Sequence, residues 1–447
     1  MSANAEILSR KIAESVEEHG GRAYYVGGCV RDRLLGRENK DIDIEVHGIA
    51  PDVLKMVLDN FGNLLSYGKS FGIYSIRGSN LDIAMPRRER KTGEGHRDFD
   101  VDVDPFIGTF EAARRRDFTV NALMEDILTG EIIDHFGGRR DLKDGILRCV
   151  DETTFIEDPL RVLRACQFAA RFNFEVDERT LDLCSKIDLS SLSKERVDEE
   201  LRKALLQSEK PSVFFELLRE MGQLDPWFSE LKGLIGLRQD PLYHPEGDVW
   251  THTMRVIDEA AGFLDQTEDP YCFMLLGLCH DLGKIVTTTE SNGRIHSYEH
   301  ETKGMPLIRC LVRRFSERKQ PLAYLSAMVP LHMLPFALAQ DNSSIKATNR
   351  MFDKTPWPKE LILFALADKG KEKADPKLVS FLYERLAVYR EYMARPFVSG
   401  EDLIEAGLEP SPAFSKALDY AHKLRLAGID KNDALKQTLA YAGKLNK

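Results

Sequence analysis

The glycine turn Tyr25-Val26-Gly27-Gly28-Cys29-Val30-Arg31-Asp32-Arg33-Leu34-Leu35-Gly36, followed at once by Asp41-Ile42-Asp43-Ile44, constrains this chain more than any other segment. The glycines close an apolar run, Ala23 to Val26, that reads as a strand, and they open a short amphipathic segment ended by Gly36. The spacing predicts a strand, a turn and the start of a helix, an arrangement whose free backbone N–H groups face an anion. From Asp41 to Val46 the period is two: Ile42, Ile44 and Val46 fall on one face of a strand, Asp41, Asp43 and Glu45 on the other. Two carboxylates on one strand face can share a hard cation such as Mg²⁺, which takes a couple of carboxylates plus substrate phosphates. Each half alone also fits a plain turn or a solvated strand face.

At 447 residues the chain is too long for one ordinary core, and with 43% apolar and 30% charged residues it has the composition of a soluble globular protein. No run approaches the ~18 apolar residues of a membrane span, and the start, MSANAEILSRK, lacks the apolar core of a signal peptide. Seven scattered cysteines without a C-x-x-C pattern predict reduced thiols in a cytoplasm. A formal charge of −10 argues mildly against a nucleic-acid partner, but charge acts locally, within about a Debye length. Basic clusters occur at Arg87, Arg88, Arg90, Lys91, at Arg114, Arg115, Arg116, at Arg139, Arg140, and at Arg161, Arg164, Arg171. All lie in the first 180 residues, as the phosphate-type turn does, and point to an anionic substrate.

The segment up to about residue 140 alternates helical and β-rich runs, Gly72 to Arg77 and Leu81 to Ala84 among them, whereas from Asp158 onward helical spacing dominates. Between Pro86 and Thr109 the periodicity disappears into a polar loop of the kind that is usually functional. Asp82, in the run Leu81 to Ala84, offers a third carboxylate, as a two-metal transfer site needs; alone it also fits the wet face of a strand. In Arg114-Arg115-Arg116-Asp117-Phe118-Thr119-Val120-Asn121 the arginines can clamp phosphates, and Asp117 and Asn121, at i, i+4 helical spacing, can face ribose hydroxyls. The same residues also fit surface charge at a helix start. Further on, Asp158-Pro159 begins a helix that sets Asp158 and Arg161 on one face. An acceptor beside a donor matches the pairing edges of cytosine and adenine and opposes those of uracil and guanine. In isolation the pair equally fits an N-cap with an i, i+3 ion pair.

Taken in order, GGCVRD with DID, RRDFTVNAL, DHFGGRRDLKDGILR (Asp134 to Arg148), EDPLRVLRACQFAARF and Glu195 to Glu200 resemble the class II tRNA nucleotidyltransferases, the CCA-adding enzyme and poly(A) polymerase family of the polymerase-β superfamily. The resemblance covers residues 24 to 200 and continues more loosely to the C-terminus. It implies a Mg²⁺-dependent head, a base-reading neck and a helical body and tail that hold tRNA. Asp41 and Asp43 would bind Mg²⁺, with Asp82 as the third acid, and Gly27, Gly28 and Arg31 would hold the triphosphate. Arg116 would contact the nucleotide and Asp117, with Asn121, the ribose, while Asp158, Arg161 and Arg164 would read or clamp CTP and ATP. Glu195, Arg196 and Glu200 would stiffen the neck helix, and Gln167 departs from the family's usual arginine. Family members add CCA, CC or A, or make poly(A). The Pro86 to Thr109 loop resembles the element required for the final A, and Tyr67 to Tyr74 lacks the basic, His-containing signature of the poly(A) enzymes.

Six of the eleven histidines lie between His244 and His332. His252 in an amphipathic helix, the adjacent His280-Asp281 ending an apolar one, then His296, His300, His332 and Asp368 form a donor set suited to Mn, Fe, Ni, Co or Zn and to water activation. The set resembles an HD-domain phosphohydrolase. That resemblance implies His252, His280, Asp281 and Asp368 as ligands of a second, transition metal (Ni, Mn, Co or Zn), with His300 and His332 as further candidates. Phe397 to Leu408 and the helices after it resemble the family's tail. The expected fold class is therefore α+β: a mixed-sheet head (1–140), a helical neck (141–235), an HD-type body (236–395) and a tail (396–447). The expected partners are the tRNA 3′ acceptor end, CTP and ATP, with no membrane and an open oligomeric state. A rival reading from the residues is a phosphohydrolase whose N-terminal half delivers RNA.

Overall fold

The computed structural model describes residues 3–38, 41–67, 73–91, 99–242, 244–395, 397–409 and 412–445. The chain divides into two compact units, residues 1–208 with 213–227, and residues 209–212 with 228–447. A mixed sheet in the first and helices throughout most of the second make the class α+β, as the sequence predicts.

In the first unit the strands are β1 (Arg22–Val26), β2 (Ile42–His47), β3 (Leu64–Tyr67), β4 (Ile73–Ile76), β5 (Leu81–Ala84), β6 (Arg87–Lys91), β7 (Phe99–Val103), β8 (Met124–Asp126) and β9 (Ile132–Ile133). Seven of them form one sheet in the order β3-β4-β5-β2-β1-β8-β9. β2 is interior to it, antiparallel to β1 and parallel to β5. The alternation of β2 explains this position: Ile42, Ile44 and Val46 are buried beneath the sheet, and Glu45 and His47 are buried on its other face. A strand buried on both faces is not a solvated edge. The helices are α1 (Ala3–Glu18), α2 (Gly28–Leu34), α3 (Pro51–Leu58), α4 (Thr109–Arg114) and α5 (Gly138–Asp144), with α1 packed on β1 and α3.

Beyond the sheet, β10 (Ile146–Leu147) and β11 (Glu175–Val176) pair in parallel, and the chain continues through α6 (Glu152–Phe155), α7 (Leu160–Phe172), α8 (Glu178–Ser185), α9 (Lys194–Gln207) and α10 (Ser212–Glu220). α7 starts where Asp158 accepts the Leu160 N–H (3.1 Å) and stops at left-handed Asn173 (φ 56°). Its Val162, Leu163, Ala165, Cys166 and Ala169 are fully buried, and α9, which packs against it, buries Val197, Leu201, Ala204 and Leu205.

Two expectations meet a different local structure. The supposed loop from Pro86 to Thr109 contains β6 and β7, an antiparallel pair whose register sets Arg88 opposite Asp102 and Arg90 opposite Asp100. β6 is charged throughout and carries no apolar period, whereas Phe99, Val101 and Val103 of β7 do alternate with acids, a period-two signal that the reading of the segment as a loop passed over. Residues 92–98 of that segment and 68–72 of Tyr67 to Tyr74, on which the contrasts with CC-adding and poly(A) enzymes rest, lie outside the described residues. Asp117 to Asn121 is not α-helical: an extended Phe118 leads into a 3₁₀ turn, Thr119–Asn121.

In the second unit, α11 (Val249–Ala261) and the all-apolar α12 (Pro270–Cys279) pack with helix Pro358–Lys369. Every residue of α12 from Tyr271 to Cys279 is buried, the signature of a central helix. Gly400–Glu405, Pro412–Leu426 and Lys431–Leu445 gather around Leu403, Ala417 and Ala442. The helical stretch Lys319–Gln340 is long and apolar enough to cross a membrane, contrary to expectation. Here it buries Tyr324, Leu325, Met328 and Val329 in the helical core. All seven cysteines are free thiols.

Phe118 is fully buried and meets Phe155 and Phe168 edge-on at 5.7 and 5.8 Å. Replacing it by alanine is expected to cost about 3–5 kcal/mol in urea unfolding of the first unit.

Candidate active site

Strand pairing assembles the acids. Asp43 on β2 stands beside Asp82 on β5 in the parallel register, and Asp41 is the residue before β2. Asp82 accepts a hydrogen bond from the Ser75 hydroxyl. Burial by the surrounding protein pushes the Asp43 carboxyl up; Arg116 opposes this, and the Asp82 and Asp41 carboxylates add to it. A divalent cation would relieve the repulsion felt by Asp43, although the three carboxylates do not converge within ligand distance of one another as the histidine and aspartate groups of the second unit do.

Gly27 holds φ 66°, ψ −130°, a conformation open to glycine. Its missing side chain also makes room for Arg116, whose Nη1 lies 3.2 Å from where a Cβ would stand. Arg116 is held there by Glu45 (Nη2 to Oε2, 3.1 Å), and the other oxygen of Glu45 meets His47 Nε2 at 2.8 Å. Glu45 thus shares a strand face with Asp41 and Asp43 but serves as an arginine anchor.

A network of buried charges joins the turn to the helices. Arg31, 4% exposed, donates to Asp32 (2.8 Å) and to Asn121 Oδ1 (2.6 Å), and it stacks on Phe168 and Phe172 at 5.2 and 4.4 Å. Asn121 donates in turn to Asp117 (2.9 Å), and Arg164 holds the other Asp117 oxygen at 2.6–2.7 Å. Burial pushes the Asp117 carboxyl up, but Arg164 and the Asn121 amide outweigh it and hold the group below the ordinary range. Asp117 and Asn121 therefore do meet, through a 3₁₀ turn in place of the expected helix.

The predicted couple Asp158 and Arg161 does not pair internally. Asp158 is bonded to Arg196 of α9 (2.8 Å), while Arg161 donates to the carbonyls of Thr154 (2.9 Å) and Arg115 (2.6 Å). Gly27, Gly28, Arg31, Asp43, Arg116, Asp117, Asn121, Asp158, Arg161 and Arg164 all line one cavity of about 420 Å³ within the first unit, within the ordinary size for a small-molecule site. Asp41 and Asp82 are not part of its lining. Seven arginines and Lys203 face three aspartates there, so the site is cationic in a chain of net charge −10.

In the second unit a further cluster forms. His252 Nε2 lies 3.0 Å from Asp368 and 3.4 Å from His280 Nε2; His280 Nε2 is 3.3 Å from Asp281. Asp281 also meets His300 (3.3 Å), whose Nε2 is 3.3 Å from that of His332. Each Nδ1 faces an acceptor: Glu246 for His252 (2.8 Å), and the carbonyls of Gly277, Ser297 and Val329 for His280, His300 and His332 (2.7–2.9 Å). Nδ1–H donation leaves the Nε2 lone pairs converging, and two acceptors at such distances need a cation between them. Burial, then neighbouring His280, push the His332 imidazole down to about 4, so it is a neutral donor at pH 7. Burial pushes Asp281 up, but His280 and Lys284 outweigh it and hold it well below the usual range. The nitrogen and carboxylate donors fit a borderline divalent metal. Gly283 permits the close approach that seats His300, since a Cβ there would stand 1.8 Å from the His300 carbonyl oxygen. His296 stacks on Tyr298 (5.1 Å) instead of joining the cluster.

The Poly A polymerase head domain family matches residues 23–148, and the family described as the probable RNA and SrmB-binding site of polymerase A matches residues 173–234. The Multifunctional CCA protein of Nitrosococcus oceani is 36% identical over 397 residues, covering 86% of this chain and 93% of the relative. That of Pasteurella multocida is 35% identical over 404 residues, covering 87% and 92%. The chain belongs to the class II tRNA nucleotidyltransferase family. Among solved structures of this transferase's fold, the Thermotoga maritima CCA-adding enzyme complexed with tRNA has a TM-score of 0.67 at 21% identity over 99% of this chain and 96% of that one. The Bacillus stearothermophilus CCA-adding enzyme in complex with CTP has a TM-score of 0.66 at 22% identity over 100% and 98%.

Several lining residues of the transferase received no place at the site from sequence: Phe168, Arg171 (read only as one of a basic cluster), Lys203, and Arg196, which was read as stiffening the neck helix and contacts Asp158. A signal existed for the first two, since Arg161, Arg164, Phe168 and Arg171 recur at helical spacing on one face of α7. For Glu45 and Glu246, which orient Arg116 and His252, no sequence signal separated them from other acids.

Because the folded Asp117 carboxyl titrates below its unfolded value, its contribution is present above about pH 4 and is lost as pH falls further. Asp117→Asn should cost about 3 kcal/mol at pH 7 by taking from Arg164 its close carboxylate partner and leaving it only Glu200, at 3.9 Å. Urea melts should then show a smaller further loss for the variant than for wild type as the pH is taken below about 4.

Proposed function

We propose that this chain adds CMP and AMP from CTP and ATP to the 3′ end of tRNA, releasing pyrophosphate, and so builds and repairs the CCA end. The observation that carries this reading is that one cavity is lined by Asp43, the glycine turn with Arg116, and Asp158 with Arg161. Metal-binding acid, phosphate clamp and base-reading groups are thereby within reach of one nucleotide. The Multifunctional CCA proteins supply the activity by family membership, and the CTP and tRNA of the solved relatives supply the ligands.

The family implies a divalent metal, and in this proposal Asp41, Asp43 and Asp82 would hold Mg²⁺. When bound, that ion lowers the pKa of the attacking 3′-hydroxyl and neutralises the phosphates. The chain's own groups do the rest. Arg116, fixed by Glu45, clamps a phosphate bidentately. Arg164 and Asn121 hold Asp117 as an acceptor for a ribose hydroxyl. Asp158 accepts from, and Arg161 donates to, the pairing edge of C or A. Residues 1–140 would form the head and 141–235 the neck. Free thiols throughout support a cytoplasmic setting.

A second activity is favoured by the converging imidazoles. We read residues 236–395 as an HD-type domain and 396–447 as the tail. His252, His280, Asp281 and Asp368, with His300 and His332, would hold a transition metal (Ni, Mn, Co or Zn). When bound, it would activate water for phosphoester hydrolysis.

Offered tRNAs ending before the first C, after CC and after CCA, with CTP and ATP separately, the protein should extend the first two and leave the third unchanged in sequenced products. Asp43→Ala should abolish incorporation of both nucleotides, and full activity of that variant would remove the assignment. His280→Ala should lower bound transition metal, measured by elemental analysis, and abolish metal-dependent phosphate release. Its CTP incorporation should stay at the wild-type rate.

A further inference from the structure

The two groups assigned to base reading are three residues apart at the start of α7, a spacing at which an acid and a base ordinarily pair with each other. Had they done so, the Asp158 acceptor and the Arg161 donors would be spent on one another, and a nucleobase would have to break a charge-assisted bond to reach either. The structure separates them. Asp158 Oδ1 accepts the Leu160 N–H at 3.1 Å, and Oδ2 accepts from Arg196 Nη2 at 2.8 Å. Arg161 spends Nη1 and Nη2 on the Thr154 and Arg115 carbonyls, at 2.9 and 2.6 Å. A carboxylate has about four acceptor positions, so two remain on Asp158. Its side chain, like that of Arg196, is about one third exposed (34% and 35%) and lines the cavity.

We propose that Arg196 is a specificity-determining positioning residue: by holding Asp158 from the α9 side it keeps that carboxylate off Arg161, leaving one acceptor and one donor for the nucleobase. The inference rests on the reading of Asp158 and Arg161 as the base-selecting pair, and it goes beyond a stiffening role for α9. Register on α9 supports it. Arg196, Glu200 and Lys203 recur at i, i+4, i+7, so one face of the helix presents all three, and Glu200 lies 3.9 Å from Arg164 and 3.0 Å from Lys203. That face therefore acts on Asp158, just before α7, and on Arg164 within it, two of the three residues assigned to the nucleotide in this segment. An arginine suits the task because its planar fork fixes a carboxylate in orientation as well as in position, which a lysine does not.

The test is nucleotide choice. With a tRNA ending before the first C, kcat/KM is measured for CTP and UTP, and with one ending in CC for ATP and GTP, on wild type and on Arg196→Ala, Arg196→Lys and Arg202→Ala. Arg202 lies on the same helix in an i, i+4 pair with Asp198 (2.8 Å) and does not line the cavity, so it reports damage to α9 alone. Arg196→Ala should lower both discrimination ratios about tenfold or more, Arg196→Lys less, and Arg202→Ala not at all. In an Asp158→Asn background Arg196→Ala should add nothing to the loss, since both act through one contact. A purely structural role would reduce correct and incorrect nucleotides in parallel. Unchanged ratios in Arg196→Ala, or in Arg196→Lys should the alanine variant melt below assay temperature, overturn the inference. A wild type that incorporates no CTP would instead overturn the functional reading on which it rests.

Discussion

The first unit depends on a chain of buried charges that runs from Arg31 through Asn121 and Asp117 to Arg164 and approaches Glu200. Desolvating such groups costs several kcal/mol per ion unless each finds a partner in good geometry, so every member restricts the next. Arg31 leaves the glycine turn, Asn121 and Asp117 flank a 3₁₀ turn, Arg164 belongs to α7, and Glu200 belongs to α9. One network therefore ties the sheet to the helices that face the cavity. Phe168 and Phe172 stack on the same Arg31 and add apolar packing to the charge network. Fixed donors and acceptors are what the proposed choice among bases calls for.

Electrostatics in this chain is local. A net charge of −10 coexists with a cavity that is strongly cationic, because the arginines of α7 and of the segment after α4 converge while the surplus acids lie elsewhere. Screening confines each charge to about 8–10 Å, so the whole-chain value says little about what binds there. Asp41, Asp43 and Asp82 make the opposite island, in which burial first, and then its two acidic neighbours, push the Asp43 carboxyl up. Anion-binding and cation-binding ground thus adjoin through Asp43, as transfer of a nucleotide from its triphosphate requires.

The second unit solves a different problem with similar means. Four imidazoles have their outer nitrogens committed to a carboxylate or to backbone carbonyls, which fixes the tautomer and turns the inner nitrogens toward each other. Three of those acceptors are carbonyls three residues back along the chain, so helix ends and turns orient the rings without any dedicated side chain. The apolar α12 and the stretch Lys319–Gln340 owe their hydrophobicity to this core, into which they carry His280 and His332.

Local pattern was enough to find the strands β1, β2 and β5, the glycine turn, the start of α7 and almost every acid, arginine and histidine now seen at the two sites. Those features repeat at short range, with period two or 3.6, or sit in compact motifs, and short-range order is written in neighbouring residues. Pairing was not legible. That Asp43 lies beside Asp82, that Glu45 anchors Arg116, that Asp158 turns to Arg196 and not to Arg161, and that Asp281 reaches His300 as well as its neighbour His280 all depend on residues far apart in sequence, from 19 positions for Asp281 and His300 to 71 for Glu45 and Arg116. A side chain's partner is decided by which elements pack together and by the need to satisfy every buried charge at once, and only the tertiary structure settles that competition.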